Sequence, residues 1–233
     1  MQADLSATPL PASGTVTIAG VTMIADLSGA LFWVEQNLLV VSDLHLEKGS
    51  SFATRGVLLP PYDTAATLGR LAEVIARHDP CCVIALGDSF HDRGAHGRLS
   101  EPDREVIGML QARRDWIWIA GNHDPALPPD LGGVVAGEVA VGAIVFRHEP
   151  TGAVGEIAGH LHPKARVVTR GRSVERRCFA ADGERVVMPA FGAYAGGLNI
   201  RDAAFAKIFQ SLGFMAHVLG DNRLHAIAAS RCY

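Results

Sequence analysis

Short apolar runs that end in Asp, Asn or His recur along this sequence, and they restrict the folds that it can adopt. The first of them, Val40-Val41-Ser42-Asp43-Leu44-His45, ends in a carboxylate and an imidazole. In an extended backbone residues i and i+2 share a face, so we expect Asp43 and His45 to project together from the end of a buried strand. The polar residues that end or follow the later runs are Asp88, Asn122, His123, Asp124, His148, His160 and His162. We expect His160 and His162 to share a face for the same reason.

The order of the helical and strand-like segments predicts how these runs are arranged. Residues 64–78 carry apolar side chains at helical spacing behind Asp63, a residue type that caps helices. The other predicted elements are helices over residues 47–55 and from Ser100 or Asp103 onward, strands over 82–86 and 116–120, and a polar loop over 89–100. This β-α-β-α-β succession predicts a mostly parallel sheet. Ligand sites in such sheets gather beyond the carboxyl ends of the strands, where these polar residues lie.

The remaining segments favour strands. Apolar segments between residues 15 and 41 have the spacing of a β-meander or of paired hairpins. From Gly133 onward the helical period disappears, and we expect strands, including a single strand over 134–141, to build a second sheet packed on the first. Residues 200–212 are predicted to be helical. We expect one domain over residues 14–233 and a flexible tail over residues 1–13.

Composition narrows the classes of function. The net charge is −3, so no global basic excess indicates a nucleic-acid partner. No uninterrupted apolar run reaches the roughly 18 residues of a membrane span, and the N-terminus lacks the pattern of a secretory signal. The four cysteines show no CxxC spacing, and we interpret them as reduced thiols of a cytoplasmic protein.

The polar residues at the strand ends have the chemistry of a metal centre. Imidazole, carboxylate and amide oxygen without thiolate suit Mn, Fe or Zn rather than a structural zinc site of the cysteine type. Two ions about 3.5–4 Å apart that share one carboxylate would use seven such groups and leave one imidazole free. The groups available are Asp43, His45, Asp88, Asn122, His123, His148, His160 and His162.

The motifs also resemble those of a known superfamily. The order Asp43-x-His45, Gly87-Asp88, Gly121-Asn122-His123-Asp124 and Gly159-His160-x-His162 is similar to the signature of the calcineurin-like metallophosphoesterases. The resemblance implies an α/β (α+β) fold, a four-layer αββα sandwich of two packed mixed β-sheets flanked by helices. It also implies a hydrolase of phosphoesters that holds two divalent metal ions.

The same resemblance implies a role for each residue. It implies Asp43, His45 and His162 as ligands of the first ion, Asn122, His148 and His160 as ligands of the second, and Asp88 as the bridge. His123 would stabilise the transition state or protonate the leaving oxygen, and Asp124 would orient its ring. A hydroxide shared by the two ions would attack phosphorus in line.

Further motifs resemble narrower groups within the superfamily. Gly87-Asp88-Ser89-Phe90-His91 is similar to the Gly-Asp-x-Phe-His of double-strand-break repair nucleases, which makes His91 a candidate to assist catalysis. Leu59-Pro60-Pro61-Tyr62 and Pro189-Ala190-Phe191-Gly192 resemble bacterial enzymes associated with a DNA ligase and a helicase. This likeness implies a manganese-dependent DNA endonuclease of the damage response, with ligase and helicase as partners.

Positive side chains near the motifs are candidate substrate contacts. Lys48 and Arg55 follow the first motif, and either a phosphate clamp or a salt-bridged surface role fits them. The basic residues that follow His162 are Lys164, Arg166, Arg170, Arg172, Arg176 and Arg177. Arginines of this kind grip backbone phosphates irrespective of sequence, and a solvated hairpin face explains them equally well.

Two other functions fit parts of the pattern. The modest net charge is compatible with a nucleotide, a cyclic nucleotide or a nucleotide-sugar pyrophosphate as substrate. A scaffold that has kept the fold without catalysis is the third alternative. The complete set of ligand-type residues, together with His123, argues against the scaffold.

Overall fold

Two mixed β-sheets and the helices on their outer faces form the architecture of the computed structural model, which describes residues 14–169, 171–210 and 212–233. The predicted αββα sandwich is confirmed. The predicted tail, residues 1–13, lies outside the described ranges. Within those ranges no helix is long and apolar enough to span a membrane.

The first sheet combines an antiparallel meander with a parallel half. Its strands, in spatial order, are β1 Gly14–Ile18, β2 Val21–Ala25, β3 Leu31–Trp33, β4 Leu38–Val41, β5 Cys82–Leu86, β6 Asp115–Ile119 and β7 Val134–Ala136. The pairs from β1 to β4 are antiparallel, and those from β4 to β7 are parallel. The carboxyl ends of β4, β5 and β6 therefore meet at one edge of the sheet.

The helices between these strands cover the outer face of the first sheet. They are α1 Lys48–Ala53, α2 Asp63–His78, α3 Ala95–Arg98 and α4 Glu101–Gln111. The apolar stripes of α2 and α4 pack on the sheet through Leu71 and Ile107, among others. The Ser100 hydroxyl caps α4 by accepting the N–H of Asp103. The short helix α3 lies within the segment that we predicted to be a loop.

The second sheet is built from the later half of the chain. Its strands are β8 Glu138–Val141, β9 Ile144–Arg147, β10 Glu156–Ala158, β11 Lys164–Thr169, β12 Arg172–Ala181, β13 Val186–Val187, β14 Met215–Leu219 and β15 Leu224–Ala228. Their order is β15-β14-β12-β13-β10-β9-β8, and β11 pairs with β12. Helix α5, Ala203–Phe209, packs Phe205 and Ile208 on the outer face.

Two sequence predictions about this half are wrong in detail. The single strand over 134–141 is two strands in different sheets, because β7 pairs with β6 while β8 pairs with β9, and Gly137 separates them. The helix predicted over 200–212 is shorter. It begins after Asp202, whose side chain accepts the N–H of Ala204, and it ends where Gln210 adopts a left-handed conformation.

Alternating side chains of β4 serve both faces of the first sheet. Leu39 and Val41 pack against the helices, whereas Leu38 and Val40 pack against the second sheet, as the period of two requires. Full burial of one aliphatic side chain stabilises the fold by about 1.5–3 kcal/mol. Burial on both faces of the sheet therefore strongly favours a central position for β4. This position places the carboxyl end of β4 at the edge of the sheet where the polar residues lie.

Candidate metal centre

The polar residues predicted from the strand ends converge at one edge of the sandwich. Each follows its strand within a few residues: Asp43 after β4, Asp88 after β5, Asn122 after β6, His148 after β9 and His160 after β10. Parallel pairing places the ends of β4, β5 and β6 side by side, and β9 and β10 are also parallel. Both sheets therefore contribute to one site.

Asp43, His45 and His162 form a first cluster, whose ligand-type atoms all lie within 4.8 Å of one another. His162 Nε2 is 3.1 Å from Asp43 Oδ1 and 3.3 Å from His45 Nε2. The carboxylate is fully buried and also accepts the hydroxyl of Ser42. Two imidazole nitrogens and a carboxylate oxygen that converge in this way can bind a cation between them.

Asp88, His148 and His160 form a second cluster of the same size. His148 Nε2 is 3.4 Å from Asp88 Oδ1 and 3.2 Å from His160 Nδ1. The amide oxygen of Asn122 is 2.9 Å from the same His148 nitrogen. His148 Nδ1 donates to the carbonyl of Leu86 at 2.9 Å, so Nε2 is the nitrogen that faces the cluster.

Asp88 lies between the two clusters. Its Oδ1 faces His148 of the second cluster, and its Oδ2 is 3.9 Å from His45 Nε2 of the first. Oδ1 also accepts the backbone N–H of His123 at 2.9 Å, which fixes the orientation of the carboxylate. A carboxylate in this position could be shared by two ions.

The electrostatics of the site favour cations. Burial by itself raises the pKa of Asp88, but the bond and charge of His148, the backbone N–H of His123 and the charge of His45 together outweigh it and hold the pKa at about 2. Burial lowers the pKa of His45 to about 3, which keeps this imidazole neutral and able to bind a metal. For His148 burial acts downward, but Asp88 and Asp43 raise the pKa to about 9. Carboxylates that stabilise the positive charge of a protonated imidazole in this way would also stabilise a divalent cation.

The backbone that presents the histidines is not extended. Asp43 and His45 have φ of 52° and 45°, and His160 and His162 have φ of 68° and 47°. Neither segment is therefore extended. Asp43 and His45 still project together into the first cluster as predicted, whereas the shared face predicted for His160 and His162 is wrong. The loops leave the sheet to bond one another, as when the His45 N–H donates to the Asp88 carbonyl at 2.9 Å. The left-handed turns send His160 and His162 into different clusters.

His91 and His123 lie beside the first cluster. His91 Nδ1 is 3.5 Å from His45 Nδ1, and the three imidazoles of His45, His91 and His123 form a third converging group, which lacks a carboxylate. His123 Nδ1 donates to the carbonyl of His91 at 2.7 Å, which leaves Nε2 facing Asp88 Oδ2 at 3.9 Å. The side chain of His123 is 39 % exposed and can be reached by a substrate.

Asp124 does not contact the ring of His123 as the sequence predicted. Its carboxylate accepts the backbone N–H groups of Gly121 and Phe90, each at 3.0 Å. Burial raises the pKa of Asp124 to about 6. Asp124 thus ties the loop after β6 to the loop after β5, and the orienting bond to His123 comes from the His91 carbonyl.

The segment from Pro189 to Gly192, noted above only as a resemblance, supports the first cluster. The N–H groups of Phe191 and Gly192 donate to the carbonyls of Ser42 and Asp43, at 2.7 and 3.1 Å. A Cβ on Gly192 would meet the carbonyl oxygen of Leu44 at 2.3 Å, so only glycine fits this close approach. The sequence shows Gly192, but it does not show that this glycine packs against the backbone of Leu44.

A model of the calcineurin-like phosphoesterase family matches residues 37–182, which are more than half of the chain and include both clusters. The chain belongs to the calcineurin-like phosphoesterase family. Among solved structures, the crystal structure of Pseudomonas putida nuclease MPE is similar to this phosphoesterase, with 28% sequence identity and a TM-score of 0.70. The alignment covers 92% of this chain and 100% of that one. No curated protein matches the sequence significantly.

The phosphoesterase has the residues that a dinuclear centre of its family requires. That family uses two divalent metal ions, and the chain offers two clusters of carboxylate and imidazole groups that face each other across Asp88. Asn122 adds an amide oxygen to the second cluster. The donors are those of hard and intermediate cations. The residues present therefore fit two such ions.

The candidate substrate contacts of the phosphoesterase differ in their surroundings. Lys48 Nζ donates to the carbonyl of Tyr194 at 3.0 Å, and Arg55 is exposed. Lys164 is close enough to Lys48 for its charge to act on that ammonium. Arg166 pairs with Glu175 at 3.4 Å on an exposed strand.

Two further arginines of the basic hairpin are engaged elsewhere. Arg177 donates to the carbonyl of Ala190 at 2.7 Å, and Arg176 lies 3.4 Å from Asp221. Arg170 lies outside the described residues. The hairpin is therefore less available to phosphates than its charge alone suggested.

Proposed function

We propose that this phosphoesterase is a manganese-dependent DNA endonuclease. The observation that carries the proposal is the pair of clusters on either side of the Asp88 carboxylate, with His123 beside them and outside both. The likeness to a nuclease over 92% of the chain supports a nucleic acid as substrate. The proposed metal ligands are Asp43, His45 and His162 for one ion, Asn122, His148 and His160 for the other, and Asp88 for both.

The proposed hydrolysis uses the metal-binding groups of the chain and the imidazole of His123. When bound, two divalent ions supply Lewis-acid stabilisation of the charge that develops on the phosphoryl oxygens. His123 is held through Nδ1 by the carbonyl of His91, so its Nε2 can carry the proton that the leaving oxygen receives. His91 contributes both the carbonyl and an imidazole on the same side of the site. Asp124 supports these loops through the backbone, as described above.

Manganese is proposed from the sequence resemblance, and the ligand types are compatible with it. Carboxylate, amide oxygen and imidazole without a thiolate accommodate Mn²⁺ well, and iron or zinc would bind the same groups. The choice among them is tested by loading the apoprotein with each metal and comparing turnover.

The candidate contacts to the DNA backbone are Lys48, Arg55, Lys164 and Arg166. Arg55 and Lys48 lie near enough to His91 for their charges to act on its imidazole. The exposed pair of Arg166 and Glu175 is weak, since such surface pairs contribute about 0–1 kcal/mol, so a phosphate can replace the glutamate. A role in DNA repair and partnership with a ligase or helicase are proposed from sequence resemblance alone, and a cytoplasmic location from the cysteine pattern.

The substrate class is tested with purified protein and Mn²⁺. Circular single-stranded DNA and a panel of small phosphodiesters, including cyclic nucleotides and nucleotide-sugar pyrophosphates, are offered in parallel. Nicking or linearisation of the circle is expected. Hydrolysis of the small substrates without any cleavage of DNA would contradict the nuclease and support the second function considered from sequence.

A further inference from the structure

Exposed apolar side chains are concentrated in the loop that follows α1. Val57 is 48%, Leu58 86% and Tyr62 69% exposed. Apolar side chains gathered at a surface commonly mark a place where another molecule binds. No catalytic or metal-binding role assigned above uses these three residues, so their exposure calls for another explanation.

This loop borders the catalytic edge. The ring of Phe52, at the end of α1, is 5.8 Å from the ring of His91. The N–H of Val57 donates to the carbonyl of Phe52 at 3.0 Å, which ties the loop to the helix. Farther on, the Asp63 carboxylate accepts the N–H of Gly49 at 3.0 Å and returns the chain to α1. A polymer bound at His91 and His123 would therefore pass close to the loop.

The charges of the segment fit a polyanion. From Lys48 to Tyr62 the only charged side chains are Lys48 and Arg55, and both are positive. Apolar groups interleaved with cations match a nucleic-acid strand, since the cations bind phosphates while aromatic and aliphatic groups contact the bases. A segment with no acidic side chain offers no partner for the basic residues of a protein surface.

We infer that Leu58 and Tyr62 contact nucleobases of the DNA strand next to the scissile phosphate, while Arg55 binds a neighbouring phosphate. The inference rests on the proposed nuclease function and adds to it a base-binding surface. The contact is independent of sequence, because every base has an apolar face on which an aromatic side chain can stack.

The double variant Leu58→Ser/Tyr62→Ser tests the inference. Both side chains are exposed, and Tyr62 makes no side-chain cap bond to α2, so the fold should tolerate the change. With Mn²⁺, the kcat/KM for a single-stranded oligonucleotide should fall about tenfold, the range expected from loss of stacking. The kcat/KM for bis(p-nitrophenyl) phosphate should stay unchanged, because this diester has no neighbouring nucleotide that could reach the loop.

Met109→Ser is the matched control. Met109 is 65% exposed on α4, outside the loop that follows α1, so both activities should equal those of the wild type. An oligonucleotide of stable abasic residues adds a second comparison. The wild type and the double variant should cleave it equally, because there is no base to contact.

The outcomes separate the inference from the function on which it rests. If the wild type hydrolyses the small diester but no oligonucleotide, the nuclease proposal fails and this inference fails with it. If the wild type cleaves DNA and the double variant does so equally well, only the base contact is refuted. An equal loss on DNA, abasic strand and small diester would also refute it, since the residues would then act on the site itself.

Discussion

The backbone N–H of His160 donates to the carboxylate of Asp43, at 3.1 Å from Oδ2 and 3.3 Å from Oδ1. The side chain of Asp43 belongs to the first cluster and that of His160 to the second. One peptide group of the loop after β10 thus couples the two clusters. A change that moves this peptide should disturb both of them together.

Gly159 makes that coupling sterically possible. A Cβ at this position would lie 2.0 Å from Ser42 Oγ and 2.5 Å from Asp43 Oδ2. Gly159→Ala must therefore displace the loop or the carboxylate. We expect the variant to hold less metal than the wild type after reconstitution and gel filtration, as measured by elemental analysis.

Gly108→Ala is the matched control for that experiment. Gly108 lies in α4 with nothing near its missing Cβ. The variant should keep full metal content, and its free energy of unfolding should rise by up to about 1 kcal/mol, since alanine favours a helix over glycine. Equal metal content in the Gly159 and Gly108 variants would contradict the coupling.

His123→Ala should leave the metal content intact, because the proposed role of this residue is proton transfer. Turnover of DNA should fall by roughly 10²–10⁴-fold, the range for general acid catalysis. The loss on bis(p-nitrophenyl) phosphate should be far smaller, because a nitrophenolate leaves without a proton. His225→Ala, on the exposed strand β15, serves as control and should match the wild type. Loss of metal from the His123 variant would identify a ligand instead.

Asp26 is expected to stabilise the fold far from the site. Its buried carboxylate accepts bonds from Arg77 at 2.6 Å, His78 at 3.1 Å and the N–H of Ser28 at 2.8 Å. Replacement of one member of a buried ionic network is strongly destabilising. Asp26→Asn should lower the free energy of unfolding by about 2 kcal/mol at pH 7, measured by urea denaturation.

The effect of Asp26 should depend on pH in a defined direction. Burial raises the pKa of Asp26, but its bonds to His78, Ser28 and Arg77 outweigh burial and hold the pKa well below its ordinary value. The stabilisation is therefore complete above the unfolded value near pH 4 and declines by about 1 kcal/mol per pH unit below it. The difference between wild type and Asp26→Asn should thus shrink at pH 3. A constant difference between pH 7 and pH 3 would exclude this account.

The sequence predicted which elements meet at the site because the hydrophobic pattern reports burial directly. The runs that end at Val41 and Leu86 became adjacent parallel strands, and polar residues followed them as expected. The conformation of Asp43 and His45 could not be predicted in this way. Their left-handed backbone depends on bonds to Asp88 and Gly192, and such partners from distant parts of the chain leave no local pattern.

Asp124 illustrates a second limit. The resemblance implied that Asp124 orients the ring of His123, but the short loop turns Asp124 toward the backbone of Phe90 and leaves His123 to the His91 carbonyl. The split of residues 134–141 between two sheets is a third case. The short apolar runs on either side of Gly137 indicate strands but do not indicate which sheet each strand joins.

Metal stoichiometry tests the central claim, that Asp88 is shared by two ions. The apoprotein is reconstituted with Mn²⁺, passed through gel filtration and analysed for bound metal, alongside Asp88→Asn and the control Asp79→Asn, whose side chain is 93% exposed. The wild type and the control should hold two equivalents per chain. Asp88→Asn should hold no more than one, because a neutral amide cannot serve two cations. One equivalent or less in the wild type, or two in the Asp88 variant, would contradict the shared carboxylate.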